Sequence, residues 1–171
     1  MVEFNLNAFK STYRDFARGY LFYAKINSNT YFNDVNSYLV KTTSLPATTI
    51  DEIEANWQGH KYKLASTPTY DDLTITFNVD VFSDIHTKMM RWSTYLNNPV
   101  DNMHGMPGSG IYFSDITLKH LNGQGATIKT YILNDAWPKT VGEISLDHTS
   151  KEVSSFDVTF TYQYHTILGI N

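Results

Sequence analysis

The residues of this chain with the richest potential chemistry are its six histidines, and their spacing serves neither metal binding nor acid–base work. His60, His86, His104, His120, His148 and His165 include no pair four residues apart, as a zinc site on one helix face requires, and no His-Glu-x-x-His run. His104, close to Asp101, is the best single candidate, although a solvated loop histidine is the favoured reading. Carboxylates cluster at Asp71-Asp72 and at Asp51, Glu52 and Glu54, where paired acids could drive hydrolysis or hold calcium. Neither cluster has the spacing of an EF-hand loop, and neighbours on a strand point to opposite faces. Gly105-Met106-Pro107-Gly108-Ser109-Gly110 is glycine-rich but lacks the Lys-Ser/Thr that completes a phosphate loop. No Gly-x-Ser-x-Gly elbow occurs. With no catalytic group given a partner, the chain is expected not to be an enzyme and to use no metal or cofactor.

Composition narrows the remaining classes. The 171 residues suit one domain spanning 1–171. No stretch approaches the roughly 20 apolar residues of a membrane span, so no membrane insertion is expected. The first residues show no basic patch followed by an apolar run, so no secretory signal is expected. There are no cysteines, which excludes disulfides and Cys-ligated zinc. Thirteen basic against seventeen acidic residues leave a formal charge of −4, unsuited to gripping nucleic acid phosphates. Twelve Tyr and ten Phe favour strands and buried interfaces.

Strands must position whatever function there is. Phe156, Val158, Phe160, Tyr162 and Tyr164 alternate with Asp157, Thr159, Thr161 and Gln163, which predicts a long final strand with one buried and one wet face. Leu73, Ile75, Phe77 and Val79 alternate in the same way. Further strands are expected over 20–26, 38–43, 116–118 and 127–133, with a turn at 122–125. Residues 50–56 and 61–64 flank Trp57-Gln58-Gly59-His60, a hairpin signal with glycine in the turn. Trp137-Pro138 reads as a turn; Pro138, which donates no ladder hydrogen bond, suits a turn or a strand entry better than a central ladder position. Ile85, Met89, Trp92 and Leu96 recur at helical period, with Ser83 or Asp84 as N-cap and a loop over 97–110 beyond. That face is best read as covering the sheet. Phe9, Tyr13 and Phe16 predict a short helix over 8–18. The fold class is mainly β or α+β, a barrel or sandwich with one principal helix. Trp57 stands out, because a large aromatic at a hairpin tip is either folded back on its own strands or offered to another chain.

Several segments share an order with a known family. These are 15–22 (Asp-Phe-Ala-Arg-Gly-Tyr-Leu-Phe), Ser44-Leu45-Pro46-Ala47, Trp57 to Ala65, Tyr70 to Phe77, and the run from Asn134 through Trp137-Pro138 to Asp147. Together they resemble the tail tube proteins of contractile-tailed, T4-like bacteriophages, with pyocin and type VI secretion tubes as more distant cousins. The loop 97–110 matches no motif of that family.

The resemblance implies a structural subunit of a virion tail, assembled in the host cytoplasm. It implies hexameric rings stacked into a hollow tube, with four strands per subunit joining a continuous barrel. A long protruding hairpin would reach the next ring, placing Glu54, Asn56, Trp57, Gln58, Gly59 and His60 at inter-ring or inter-subunit contacts. Sheath, tape-measure, baseplate and tail terminator proteins would be the other partners. DNA would pass through the lumen during ejection without specific binding. Asp115, Asp157, Thr159, Thr161 and Gln163 are candidates to face that lumen, where acidic and neutral hydrophilic groups would keep phosphates from sticking. Alternatives are a tube-initiator or baseplate paralogue, and a carbohydrate-binding β module.

Overall fold

The computed structural model describes residues 17–27, 37–108, 110–149 and 151–169. The helical spacing over 8–18 falls almost wholly outside them. Nine strands and one α-helix occur among the described residues: β1 (Phe22–Ile26), β2 (Val40–Thr43), β3 (Thr48–Trp57), β4 (His60–Tyr70), β5 (Leu73–Asn78), α1 (Asp84–Leu96), β6 (Ser114–Leu121), β7 (Thr127–Val141), β8 (Ser155–Thr161) and β9 (Tyr164–Gly169).

Strand β7 organises the body. Its first half lies between β6 and β9, paired antiparallel with both. Its second half pairs with β8, which continues to β5 and then β2, while β1 closes the other side on β6. The result is an open, sandwich-like arrangement rather than a closed barrel, because the end strands β1 and β2 do not pair with each other among the described residues.

The core follows the alternation in the sequence. Leu73, Ile75 and Phe77 of β5 face Phe160, Val158 and Phe156 of β8 in register, all six buried. Ile116, Leu118 and Leu133 supply the other half. Helix α1 lowers Ile85, Met89 and Trp92 onto this core, as its periodicity predicts, and Trp92 Nε1 donates to the Tyr112 carbonyl at 3.1 Å. Each such side chain contributes about 1.5–3 kcal/mol on burial.

Three expectations are corrected. Trp137-Pro138 is no turn; both residues lie inside β7. Proline is tolerated there because β6 pairing has ended at Ala136 and the register with β8 shifts between Pro138 and Thr140. At that point the strand is an edge with a bulge, where a missing N–H costs little. The long final strand is two strands. It breaks at Tyr162-Gln163, after which β9 crosses to the other half of β7, so Tyr162 is buried but Tyr164 is exposed. Ser83 occupies the N-cap position as expected, but neither its side chain nor that of Asp84 caps the helix. Ser83 is left-handed, at φ 50°, and makes no side-chain cap, while Asp80 Oδ1 accepts the Asp84 N–H at 2.9 Å.

Gly142 marks a tight approach. Its N–H donates to the Asp157 carbonyl at 2.7 Å, and a Cβ there would lie 2.8 Å from that same oxygen.

Candidate assembly surfaces

Among the described residues, strands β3 and β4 pair only with each other. Gln58 (φ 45°) and Gly59 (φ 83°) make the two-residue turn between them, with both central residues left-handed, which matches strand twist. Each strand of ten or more residues extends about 34 Å or more at ~3.4 Å per residue. Every residue of β3 is exposed, and so is β4 except at Ser66 and Tyr70. The hairpin is longer than the sequence patterning predicts, reaching back to Thr48 and on to Tyr70.

Its register sorts the side chains by face. Ile53 lies opposite Leu64, Ala55 opposite Tyr62, and Trp57 opposite His60, forming one largely apolar face. Trp57 is 72% exposed and Tyr62 68%, so the tryptophan is not folded back onto its own strands. The other face carries Glu52, Glu54, Asn56, Lys61 and Lys63. There Lys61 Nζ meets Glu54 at 2.8 Å and Lys63 Nζ meets Glu52 at 2.7 Å. Such exposed pairs contribute under about 1 kcal/mol each, yet they keep this face wet and orient the apolar one. Glu54, Asn56, Trp57, Gln58, Gly59 and His60 are thus grouped at the outer part of the hairpin. Sequence reasoning missed Ile53, Tyr62 and Leu64, whose alternation across the turn carried the signal.

A second surface is the uncovered face of β2, β5 and β8. Thr42 Oγ1 donates to Thr76 Oγ1 at 2.8 Å, and Thr74 and Thr159 hydroxyls lie 3.3 Å apart. Asp157 stands opposite Thr76 and is exposed. Thr161 Oγ1 donates to Asp72 Oδ1 at 2.8 Å, while Lys139 Nζ donates to Asp72 Oδ2 at 2.7 Å. The hydrogen bond from Lys139, then that from Thr161, holds the Asp72 carboxyl below its ordinary 3.8. The face is therefore hydroxyl-rich, with the Asp72–Lys139 ion pair at the end near β4 and Lys41 Nζ donating to Ser155 Oγ at 3.5 Å at the other. Asp72 and Lys139 were not among the expected site residues, since a pairing across 67 positions leaves no local pattern.

The five expected lumen residues are not all brought together. Asp157, Thr159 and Thr161 share this face. Gln163 lies in the turn before β9, its N–H donating to the Asn134 carbonyl. Asp115 is on β6, in the other half of the sheet, and accepts the Asp135 N–H at 3.2 Å where β7 bulges. His104 forms a main-chain bridge to Asn97 after α1. Among the described residues, no group of three or more His, Asp or Glu side chains is arranged to hold a metal.

The amphipathic hairpin, paired with no other strand among the described residues, and the hydroxyl-rich sheet face are the candidate surfaces of this chain. Residues 1–168 match the family model described as phage tail tube protein. The chain is 28% identical over 151 residues to the tail tube protein gp19 of Enterobacteria phage T4, covering 88% of this chain and 91% of that one. It is also 28% identical over 114 residues to the tail tube protein of Serratia phage KSP90, covering 67% and 64% respectively. In fold it is similar to a chain of the anti-feeding prophage tube-terminating cap, with TM-score 0.70, 17% identity and coverage of 92% and 94%. It is similar too to a chain of the extended sheath–tube complex of an extracellular contractile injection system, with TM-score 0.66, 16% identity and coverage of 97% and 99%. The chain belongs to the phage tail tube protein family and is a structural subunit of a virion tail, not an enzyme.

Proposed function

We propose that copies of this chain form hexameric rings, that the rings stack into a hollow tube inside a contractile sheath, and that the β3–β4 hairpin is the ring-to-ring arm. The unpartnered apolar face of that hairpin carries the reading. An isolated two-stranded hairpin is marginal in water, so one this long that turns Ile53, Trp57, Tyr62 and Leu64 outward needs a second chain to cover it. The body offers a receiving end. Val81, Phe82, Leu146 and Val153 are all well exposed, and they occupy loops beyond Asn78 and before Ser155, opposite the hairpin root along the β5–β8 ladder. Two different apolar surfaces at opposite ends suit head-to-tail stacking, which propagates instead of closing on itself.

Asp157, Thr159 and Thr161 are the proposed lumen residues, joined by Thr74 and Thr76. Short neutral hydroxyls bonded to one another, with the Lys139 ammonium held by Asp72 and that of Lys41 turned to the Ser155 hydroxyl, offer phosphates little to grip. Asp115 and Gln163 are left out of this surface. Sheath, baseplate, terminator and tape-measure proteins are the remaining proposed partners, and DNA the passing cargo. The sheath and terminator roles have support in the fold neighbours, which come from a sheath–tube complex and a tube-terminating cap.

Electron microscopy of the purified protein tests the arm. Wild-type protein should give rings and tubes. Trp57→Ala should keep the circular dichroism of the subunit while tubes become scarce, since a buried interface aromatic contributes about 2 kcal/mol or more per contact. Tubes of normal number and length from the variant would remove the hairpin from the interface. A wild-type protein that stays monomeric at every concentration, and on baseplate seeds, would overturn the tube itself.

A further inference from the structure

The hairpin leaves the body at one residue pair, Thr48 opposite Tyr70, and both partners of that pair touch the same side chain. Thr48 Oγ1 lies 3.2 Å from His165 Nε2, and the Tyr70 ring packs edge-on against the His165 ring at 5.2 Å between centroids. His165 projects from β9, opposite Leu133 in the β7 ladder, so it belongs to the rigid part of the body. Tyr131 of β7 and Tyr162, at the break between β8 and β9, complete an aromatic box, each ring 6.0 Å from the imidazole. Tyr70 also packs on Tyr162 at 6.0 Å.

We propose that His165 is the positioning residue that sets the angle of the hairpin on the body, and that it holds this angle only while its ring is neutral. This rests on the hairpin being the assembly arm.

Two observations support the dependence on charge. Among the described residues, the buried side-chain polar atoms without a hydrogen-bond partner are Tyr162 Oη and His165 Nδ1, both in this box. The neutral ring pairs Nε2 with the Thr48 hydroxyl, the donor being set by the tautomer, and leaves Nδ1 without a partner, a modest cost. A second proton would put an N–H and a full charge where no acceptor waits. The groups facing the ring are Tyr70 from β4, Tyr131 from β7, Tyr162 and the Thr48 hydroxyl, none of them a carboxylate. Asp71 and Asp72 follow Tyr70 and act on Tyr162, raising its hydroxyl after burial has done so first. Burial pushes the pKa of the imidazole below the ordinary 6.5. The sign follows: a proton is bound more readily when the box is open, so the docked arm is fully favoured above 6.5 and loses ground as pH falls below it. The broken hydrogen bond and the expelled ring would release both hairpin strands at their root.

The test reads arm position in the soluble subunit, and the absence of native cysteine makes it clean. Spin labels at Asn56→Cys on the arm and Glu143→Cys on the body should give a narrow distance distribution at about pH 7.5 and one about twice as wide at about pH 5.5. His165→Gln keeps an amide in reach of Thr48 but cannot titrate; its distribution should be the same at both pH values. His104→Gln, at an exposed position outside the hairpin, should keep the wild-type change, and tube formation by the unlabelled wild type and His165→Gln should follow the same pattern. Equal widths at both pH values in the wild type, or a change that survives in His165→Gln, would overturn the proposal. Because the labels report on single subunits, either result is distinct from a failure of the tube itself, which would show as no tubes under any condition.

Discussion

Two regions of this molecule are built from the same kind of alternating strand and meet opposite fates. In β5 and β8 the apolar residues point at each other and at α1, and are buried to the last few per cent. In β3 and β4 the apolar residues share a face just as cleanly, yet Ile53, Trp57, Tyr62 and Leu64 stay at least half exposed. Alternation specifies a face and not what covers it. The body finds its cover within the chain, so its residues set subunit stability. The hairpin must find cover elsewhere, so its residues should set assembly and leave stability alone.

The sharpest way to break this contrast is a matched pair of truncations. Phe160→Ala removes a fully buried ring from β8 and should cost about 3–5 kcal/mol by the transfer and cavity terms. Trp57→Ala removes a larger ring from the arm and should change unfolding free energy by under about 0.5 kcal/mol. Urea denaturation of both variants against wild type measures the difference. A comparable loss in the two would mean that the hairpin folds back onto the body in solution. A smaller but clear loss, about 1–3 kcal/mol, is expected for Gly142→Ala. Its new Cβ would meet the Asp157 carbonyl backbone, which cannot step aside without breaking the β7–β8 ladder. The same substitution at Gly59, in the arm's turn, meets nothing but its own left-handed φ, so it should disturb the hairpin and spare the body.

The contrast also explains what the sequence revealed and what it hid. The strands around 73–78 and 155–161 and the helix over 84–96 were legible because burial in a core imposes strict period. The hairpin turn was legible from Gln58-Gly59, but not the reach of its strands, which run through Pro68 and polar residues with no core to pattern them. The length of β7 was hidden by Pro138, whose rule holds for central strands and relaxes at an edge bulge. The step from β8 to β9 was hidden because Tyr162 and Tyr164 continue the alternation although the chain changes partners between them. Of the candidate surfaces, the exposed placement of Trp57 and of the β8 threonines could be read from type and spacing, while the roles proposed for them came from the family resemblance. Asp72 with Lys139, and His165 beneath the arm, are created by the fold alone.

Within the body, the hydroxyl-rich face should be nearly silent in stability, and its own ion pair shows how silent. Asp72→Asn removes a partly exposed pair with Lys139 and should cost under about 1 kcal/mol. The Asp72 pKa is lowered on folding, so its contribution is present above 3.8 and is lost as pH falls through the folded value. Thermal melts of wild type and Asp72→Asn should therefore converge in acid and separate slightly above it. Curves that differ equally at all pH values would assign the effect to packing.

The smallest effect on the subunit, and the one that tests the lumen, belongs to Asp157→Lys. The carboxylate is exposed, faces Thr76 and enters no ion pair among the described residues, so the subunit should fold and assemble as before. If that face lines the channel, each ring exchanges repulsive groups for attractive ones at the same height. Along a stack of rings the attraction for a passing polyanion accumulates, because each phosphate leaves one ring only to meet the next. DNA release from assembled particles should slow at low salt and recover as salt rises, since screening shortens the reach of each lysine to about 10 Å at ~0.1 M. A rate unchanged at both salts, from particles with intact tubes, would move the hydroxyl-rich face away from the lumen and towards a contact between neighbouring subunits.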